Sequence, residues 1–268
     1  GGGGGRSRHC DAGLGSVGVR KQVAILAGGL GTRLRPLTEK CPKPMVPVCG
    51  EPFLHWQILD LKAQGYTDIV LLVAYLGEQV QEHFGDGSSF GVSIEYSFEK
   101  TPLGTGGAVR NALDLLEDEF MLVNGDSFLQ ARLDDLAGFF DEGRFDAVVT
   151  TYSNQPSTPV PNNLKVKNQT IIAYEKEAGA VKGFECVDSG IHVVKKSLFL
   201  DPMLAGREKF QLEEVLHPLI DKRAYGAFAV ERRFYDIGTP ERLVEFESFV
   251  RDELRAGRFS GQGPEGVP

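Results

Sequence analysis

The sequence predicts an α/β fold built on a doubly wound, mostly parallel sheet, and two observations support this. Short, continuous apolar runs recur along the chain, as expected for strands that are buried on both faces of a parallel sheet. Segments with apolar residues at i+3 and i+4 spacing lie between these runs, so that predicted strands and helices alternate. Ligands of such sheets bind beyond the carboxyl ends of the strands, which is where glycine-rich turns occur in this chain.

The first half of the chain supplies most of the predicted parallel strands. An amphipathic helix with a glycine stop at Gly65 follows the first strand and its loop. A later helix begins in a glycine-rich turn, and Asp126 lies just beyond the carboxyl end of a strand. The predicted strands span residues 23–27, 68–73, 92–96, 120–123 and 147–152. The predicted helices span residues 52–62, 76–84, 104–113 and 133–140.

The second half changes character and predicts a smaller, β-rich part. The strand at residues 184–194 contains Gly190 in mid-run, which indicates close approach of a ligand or another backbone. The predicted strands are 164–166 and 170–174 (a hairpin), 184–194, 225–230 and 233–235, and the predicted helices are 210–220 and 240–254. We expect a single domain at residues 21–255, with halves at 21–152 and 153–255, between a disordered leader at 1–20 and a flexible tail at 256–268.

The charge and hydropathy of the chain argue against several classes of function. A net charge of −8 argues against a nucleic-acid partner, which would normally leave a basic footprint. No apolar run approaches the ~20 residues that a membrane span needs, and the N-terminal part lacks an apolar signal core, so we expect a cytoplasmic protein. An anionic ligand must then be held by local donors and metal ions, against the overall field.

The stretch LAGGLGTRLRPLTEKCPKPM at residues 26–45 carries the clearest functional signal. Glycines directly after a buried strand let backbone amides approach a polyanion, and Arg33, Arg35 and Lys43 add cationic donors. The spacing is not that of a P-loop, and Leu34 stands where the dinucleotide fingerprint requires its last glycine. A plain glycine-rich turn is the alternative, and Arg35 equally suits an exposed surface position. Arg33 and Lys43 favour a phosphate-handling loop.

This stretch resembles the signature of the sugar-1-phosphate nucleotidyltransferases. The resemblance continues through GTGGA at residues 104–108, NGD at 124–126, EK at 175–176 and DIGTPER at 236–242, and it covers about residues 22–253. It implies a Rossmann-like, GT-A-like nucleotide-binding half and a smaller sugar-binding part. It also implies a reaction in which an oxygen of a sugar 1-phosphate attacks the α-phosphorus of a nucleoside triphosphate and expels pyrophosphate.

The resemblance implies a role for each part of the site. Arg33, Lys43 and Asp126 match the catalytic residues, and Asp126 and Asp236 match two aspartates that hold Mg²⁺. Without the resemblance, these strand-end aspartates would more often be structural turn residues. The residues that it places on the nucleotide are Leu26, Ala27, Gly28, Gly29, Gly31, Thr32, Arg33, Gly104 and Thr105. Those that it places on the sugar phosphate are Gly125, Glu175, Lys176 and Asp188.

The chain departs from the family pattern where the sugar is expected to bind. Glu177 follows the Glu175-Lys176 pair where relatives have proline, and a charge pair at a hairpin end is often only solvated. Asp188 stands where relatives carry asparagine, so an acceptor-only group replaces an amide. The sugar is therefore the part of the reaction that the sequence specifies least.

The resemblance is greatest to compact family members that use GTP with D-glycero-D-manno-heptose 1-phosphate or mannose 1-phosphate. We therefore expect a nucleoside triphosphate, GTP in particular, and a sugar 1-phosphate as partners, and homo-oligomer formation is compatible with the sequence. One alternative is a uridylyl-, cytidylyl- or thymidylyltransferase that acts on another sugar 1-phosphate. The other is a catalytically silent regulatory subunit that binds an NDP-sugar, and intact Arg33, Lys43, Asp126 and Asp236 argue against it.

Overall fold

A long mixed β-sheet runs through the part of the chain described by this computed structural model, which comprises residues 22–154, 158–175 and 183–259. The strands are β1 (Gln22–Leu26), β2 (Pro47–Val48), β3 (Glu51–Pro52), β4 (Asp68–Val73), β5 (Ser93–Phe98), β6 (Glu119–Asn124), β7 (Ser127–Phe128), β8 (Ala147–Tyr152), β9 (Leu164–Lys167), β10 (Thr170–Tyr174), β11 (Val187–Lys195), β12 (Tyr225–Val230) and β13 (Tyr235–Asp236). The α-helices are α1 (Phe53–Ala63), α2 (Gly77–Phe84), α3 (Gly104–Asn111), α4 (Leu133–Asp141), α5 (Leu212–Asp221) and α6 (Pro240–Arg255).

The central sheet has nine strands in the order β5-β4-β1-β6-β11-β8-β12-β10-β9. Strands β5, β4, β1 and β6 pair in parallel, and so do β8 and β12. Every antiparallel pair of this sheet involves β11 or β10, which run against the other strands. The predicted mostly parallel sheet is confirmed, and the parallel block β5-β4-β1-β6 at residues 22–124 forms one end of it. The predicted leader at 1–20 and most of the predicted tail lie outside the described residues.

Helices cover both faces of the sheet, which explains why the inner strands β1, β4 and β6 are almost entirely apolar, whereas the edge strands β5 and β9 alternate with polar residues. Val23 and Ile25 of β1 belong to one buried cluster with residues of α1, α2 and α4. Ala24, between them, belongs to a second cluster with residues of α3 and α5. The sheet is therefore doubly wound, as predicted. Within the described ranges, no helix combines the length and the apolar character that crossing a membrane requires.

Helix α1 differs from the amphipathic helix that the sequence predicts, because it is buried on two sides. Leu54 and Ile58 pack in the cluster beneath the sheet. On the opposite side, Phe53 and Trp56 pack in a third cluster with α6, and the rings of Phe53 and Phe246 lie 4.9 Å apart between centroids. Since α6 covers the second face, α1 carries no solvent-facing polar stripe along most of its length.

The second half contains the predicted hairpin and the predicted close approach. Asn168 and Gln169, between β9 and β10, both adopt left-handed backbone with φ of 49° and 60°, which suits a two-residue hairpin turn. Gly190 in β11 has φ of 94°, and a β-carbon there would lie 2.9 Å from the β-carbon of Ser127. The glycine therefore lets β11 pack directly against the turn that follows β6.

Candidate active site

A cavity of about 680 Å³ opens beyond the carboxyl ends of the parallel strands. Its walls come from the loop after β1, the segment after β4, the start of α3 and the turn after β6, and this is the sheet edge where α/β proteins bind ligands. The predicted site residues that line it are Leu26, Gly28, Gly29, Gly31, Thr32, Arg33, Lys43, Gly104, Thr105, Gly125 and Asp126. Ala27 lies behind the wall, where its backbone N–H donates to the carbonyl oxygen of Leu72 at 2.9 Å.

The loop after β1 is fixed by hydrogen bonds of its own and of its neighbours. Gly31 has φ of 59°, and its carbonyl oxygen accepts a hydrogen bond from the hydroxyl of the buried Thr38 at 2.7 Å. The hydroxyl of Tyr75, after β4, donates to the carbonyl oxygen of Glu39 at 2.9 Å. These bonds hold the glycines and the exposed Arg33 at the cavity wall. Arg35 is exposed and is not part of that wall, which agrees with the surface position left open for it.

Lys43 and Asp126 form an ion pair at the cavity. The Nζ atom of Lys43 lies 2.5 Å from Oδ2 of Asp126, and the lysine side chain is only 9% exposed whereas that of Asp126 is 40% exposed. Lysine is rarely buried without an anionic partner, because its charge loses hydration. The pair therefore joins the loop after β1 to the aspartate beyond β6, although their positions in the sequence are far apart.

The turn after β6 is held against β1 with little freedom. The backbone N–H of Gly125 donates to the carbonyl oxygen of Leu26 at 3.1 Å, and a β-carbon at residue 125 would lie 2.4 Å from that oxygen. From α1, Nε2 of Gln57 donates to the carbonyl oxygens of Asn124 (2.9 Å) and Ser127 (2.6 Å). Buried Gln57 therefore fixes both ends of the turn that carries Asp126.

The second predicted metal ligand, Asp236, lies on the chain segment that pairs with this turn. β13 runs antiparallel to β7 with Asp236 opposite Ser127, and the backbone N–H of Ile237 donates to the carbonyl oxygen of Asp126 at 3.0 Å. The carboxylate of Asp236 accepts from the N–H of Gly238 at 2.7 Å and from Nη1 of Arg242 at 3.0 Å. The chain segments that carry the two aspartates are therefore neighbours, which the sequence could not show, but Asp236 itself lines a smaller pocket with Arg242 rather than the cavity.

Of the residues predicted for the sugar phosphate, only Gly125 is shown to line the cavity. Glu175 is exposed at the end of β10, and its backbone N–H donates to the carbonyl oxygen of Asn163 at 3.0 Å. Lys176 lies outside the described residues. The side chain of Asp188 is 7% exposed, and its carboxylate accepts from the hydroxyl of Tyr174 (2.9 Å) and the N–H of Gly190 (2.8 Å). Asp188 therefore faces protein partners rather than the cavity.

Several polar residues of the cavity wall were missed by sequence reasoning, and Glu99 and Gln211 are the two with hydrogen bonds at the start of α3. The carboxylate of Glu99 accepts from the N–H of Leu103 at 2.8 Å through Oε2, while Oε1 lies beside Gly28, 3.0 Å from where a β-carbon would stand. Burial raises the pKa of Glu99 above its ordinary value. Gln211 accepts a hydrogen bond from the hydroxyl of Thr105 at 3.2 Å. The position of Glu99 directly after β5, at the ligand-binding edge, was the signal available in the sequence.

The donor set of Asp126 and Asp236 suits a divalent metal. Both are carboxylates, the hard oxygen ligands that Mg²⁺ prefers, and a Mg²⁺ held by one or two carboxylates takes its other ligands from phosphates and water. Each carboxylate already attracts a cationic side chain, Lys43 or Arg242. In the described part of the chain, no group of three or more His, Cys, Asp or Glu side chains is arranged to hold a metal ion.

A glycine-rich loop, an ion pair between a buried lysine and a half-exposed aspartate, and a doubly wound sheet are the features expected of a nucleotide-binding α/β transferase. The chain belongs to the nucleotidyl transferase family, whose sequence profile matches residues 22–253, and it is a sugar-1-phosphate nucleotidyltransferase. The predicted resemblance is confirmed. Family substrates are a nucleoside triphosphate and a sugar 1-phosphate, and family enzymes generally use a divalent metal.

Three relatives illustrate the range of similarity. The D-glycero-alpha-D-manno-heptose 1-phosphate guanylyltransferase of Campylobacter jejuni is 34% identical over 225 residues, which cover 84% of this chain and 98% of the relative. The N-acetylmuramate alpha-1-phosphate uridylyltransferase of Neisseria meningitidis is 47% identical over 107 residues, which cover 39% of this chain and 46% of the relative. The crystal structure of HddC from Yersinia pseudotuberculosis complexed with GMP-PN has a TM-score of 0.70 and 26% identity, and the match covers 86% of this chain and 99% of that chain.

Proposed function

We propose that this chain transfers a guanylyl group from GTP to a hexose- or heptose-type sugar 1-phosphate, with D-glycero-D-manno-heptose 1-phosphate or mannose 1-phosphate as substrate. An oxygen of the sugar phosphate attacks the α-phosphorus of GTP. The bond between this phosphorus and the oxygen that bridges to the β-phosphate breaks, and pyrophosphate leaves. The similarity to a heptose 1-phosphate guanylyltransferase, which covers 84% of this chain and 98% of that relative, supports the substrates. The observation that carries the chemistry is the cavity that combines the glycine loop, Arg33 and the Lys43–Asp126 pair.

The anionic reactants require positioning and charge neutralisation more than acid–base catalysis. Backbone amides of the glycine loop are suited to phosphate oxygens, and the exposed Arg33 guanidinium can fork across two of them as pyrophosphate leaves. Lys43 supplies a second cation at the same wall. Asp126 and Asp236 would hold Mg²⁺, which neutralises phosphate charge when it is bound.

Glu99 supports GTP as the nucleotide. A carboxylate accepts hydrogen bonds only, and guanine offers two adjacent donors, N1–H and the 2-amino group, on its Watson–Crick edge. Uracil and thymine offer one N–H flanked by two carbonyl oxygens, which a carboxylate would repel. Glu99 lies beside Gly28 in the cavity and near the start of α3, where Leu26, Gly104 and Thr105 are proposed to contact the base and ribose.

For the sugar phosphate we propose Gly125, Glu175 and Lys176 as contacts. Gly125 borders the cavity, and Glu175 follows the last residue of β10. Asp188 is proposed to act on the sugar through Tyr174, which it binds and which directly precedes Glu175. We propose an indirect role because the carboxylate of Asp188 is bound by Tyr174 and Gly190 and does not line the cavity.

A screen of pyrophosphate release tests the proposal. The four ribonucleoside triphosphates and dTTP are each incubated with a panel of sugar 1-phosphates that includes heptose, mannose, glucose and N-acetylmuramate 1-phosphates, with Mg²⁺ present. We expect the highest kcat/KM with GTP and a heptose or mannose phosphate. Preference for UTP would favour a uridylyltransferase, and the absence of turnover with every pair would favour the silent regulatory subunit.

A further inference from the structure

Both carboxylates proposed for the metal are already paired with a basic side chain. Lys43 holds Asp126 at 2.5 Å, and Arg242 of α6 holds Asp236 through contacts of 3.0 and 3.3 Å to its two oxygens. Nη2 of Arg242 also donates to the carbonyl oxygen of Pro159 at 3.0 Å. The side chains of Arg242 and Asp236 are 17% and 14% exposed, so this pair is largely shielded from water.

The two pairs compensate the charge of both carboxylates before any metal binds. Lys43 holds Oδ2 of Asp126, whose Oδ1 accepts from the Ser127 hydroxyl at 3.2 Å, and Arg242 contacts both oxygens of Asp236. A divalent cation that enters alone must compete with these two basic groups for the carboxylates. A displaced Lys43 would be left with its charge in a mostly buried position, which is costly unless another anion replaces the carboxylate. A triphosphate in the adjoining cavity is such an anion, because Lys43 itself lines that cavity.

Arg242 could likewise exchange its carboxylate partner for a phosphate group. A β-carbon on Gly238 would lie 3.3 Å from Nη1 of Arg242 and 3.5 Å from Nη2 of Arg33, so both guanidinium groups border this glycine. Gly238 and Arg33 line the cavity. A guanidinium released from Asp236 would therefore remain beside the proposed phosphate site.

We propose that Lys43 and Arg242 are exchangeable counter-ions of the metal site, which hold Asp126 and Asp236 in the metal-free protein and release them when a divalent cation arrives with the nucleotide. The inference rests on the proposed function, because the metal and the triphosphate belong to that reaction. It assigns a site role to Arg242 and makes tight metal binding depend on the nucleotide.

The affinity of the full chain for Mn²⁺ alone, measured from the EPR signal of the free ion, tests this proposal without turnover. In 0.15 M salt, Lys43→Met should bind Mn²⁺ about fivefold more tightly than the wild type, the fold-change that corresponds to ~1 kcal/mol for one ion pair. Arg242→Met should tighten binding in the same direction. Lys100→Met is the matched control, since Lys100 lines the same cavity and its removal deletes one positive charge without touching either aspartate.

The control should stay within about twofold of the wild type, because salt screens a charge that makes no direct contact. Lys43→Arg, which keeps the charge, should stay near the wild-type affinity. Wild-type or weaker Mn²⁺ binding by folded Lys43→Met and Arg242→Met would overturn the proposal, and so would equal tightening in Lys100→Met. Circular dichroism establishes that each variant is folded. Failure of the proposed function would show separately, as absence of nucleotidyl transfer by the wild type.

Discussion

Replacing Gly125 by alanine tests how closely the turn that carries Asp126 must approach β1. The added β-carbon would lie 2.4 Å from the carbonyl oxygen of Leu26, about 1 Å short of ordinary contact, and the obstacle is backbone rather than a movable side chain. The N–H of Gly125 also donates to this oxygen, so the hydrogen bond cannot be kept while the clash is relieved. The turn must therefore move away from β1.

The expected cost has two parts. Overpacking of this kind destabilises folded proteins by roughly 1–3 kcal/mol. Asp126 is the next residue, and a displacement of about 1 Å at a group that positions reactants can lower the rate by ~10²-fold. We therefore expect kcat to fall about 10²-fold. The loss of stability alone would not cause this fall, provided that the variant is still folded at the assay temperature.

The assay is steady-state pyrophosphate release at saturating nucleotide, together with thermal unfolding of the same preparation. Gly138→Ala is the matched control: Gly138 lies in α4, and a β-carbon there would meet nothing within 4 Å. That variant should keep wild-type kcat and gain roughly 0.5–1 kcal/mol of stability, because alanine favours helix. Gly125→Ala with kcat within threefold of wild type would refute the reasoning that this glycine sets the position of Asp126.

Three further predictions concern single side chains of the cavity. Arg33→Ala should lower kcat/KM for pyrophosphate release by about 10³-fold, as when a preorganised charge-stabilising group is removed, and wild-type rates would exclude Arg33 from the chemistry. Asp126→Asn should raise the Mg²⁺ concentration needed for half-maximal rate while leaving the fold intact, and an unchanged Mg²⁺ dependence would remove Asp126 from the metal site. Glu99→Gln should lower the GTP-to-UTP ratio of kcat/KM. Burial raises the pKa of Glu99, so its carboxylate becomes protonated at a higher pH than that of an exposed glutamate. Protonation removes the acceptor for the two guanine donors, so the GTP-to-UTP ratio of the wild type should fall as the pH drops through this pKa. The ratio of Glu99→Gln should not change over the same pH range.

Most of the fold could be predicted because its signals are local. Apolar runs and helical spacing located the strands and helices of the parallel block, and the residues between β9 and β10 located the hairpin. The enclosure of α1 was not predictable in this way, because it depends on α6, which follows far along the chain and packs Phe246 on Phe53. The amphipathic interpretation of α1 was wrong for that reason.

The candidate site was predictable where one continuous stretch forms it. Residues 28–33 and Lys43 of this one loop line the cavity. The proximity of Asp126 to Asp236 required the pairing of two short strands, which no spacing reveals. Glu99 was missed because a single carboxylate after a strand is common. The direction of Asp188 depends on Tyr174 and Gly190, and the roles of these sugar-side residues stay predictions.

One measurement tests the central claim most directly: ³¹P NMR of the wild-type protein with GTP, Mg²⁺ and D-glycero-D-manno-heptose 1-phosphate or mannose 1-phosphate. The account predicts that a GDP-sugar and pyrophosphate appear in equal amounts as GTP and the sugar 1-phosphate disappear together. Pyrophosphate released without a GDP-sugar would mean that water rather than the sugar phosphate is the acceptor, and unchanged spectra with both sugars would contradict the proposed guanylyl transfer.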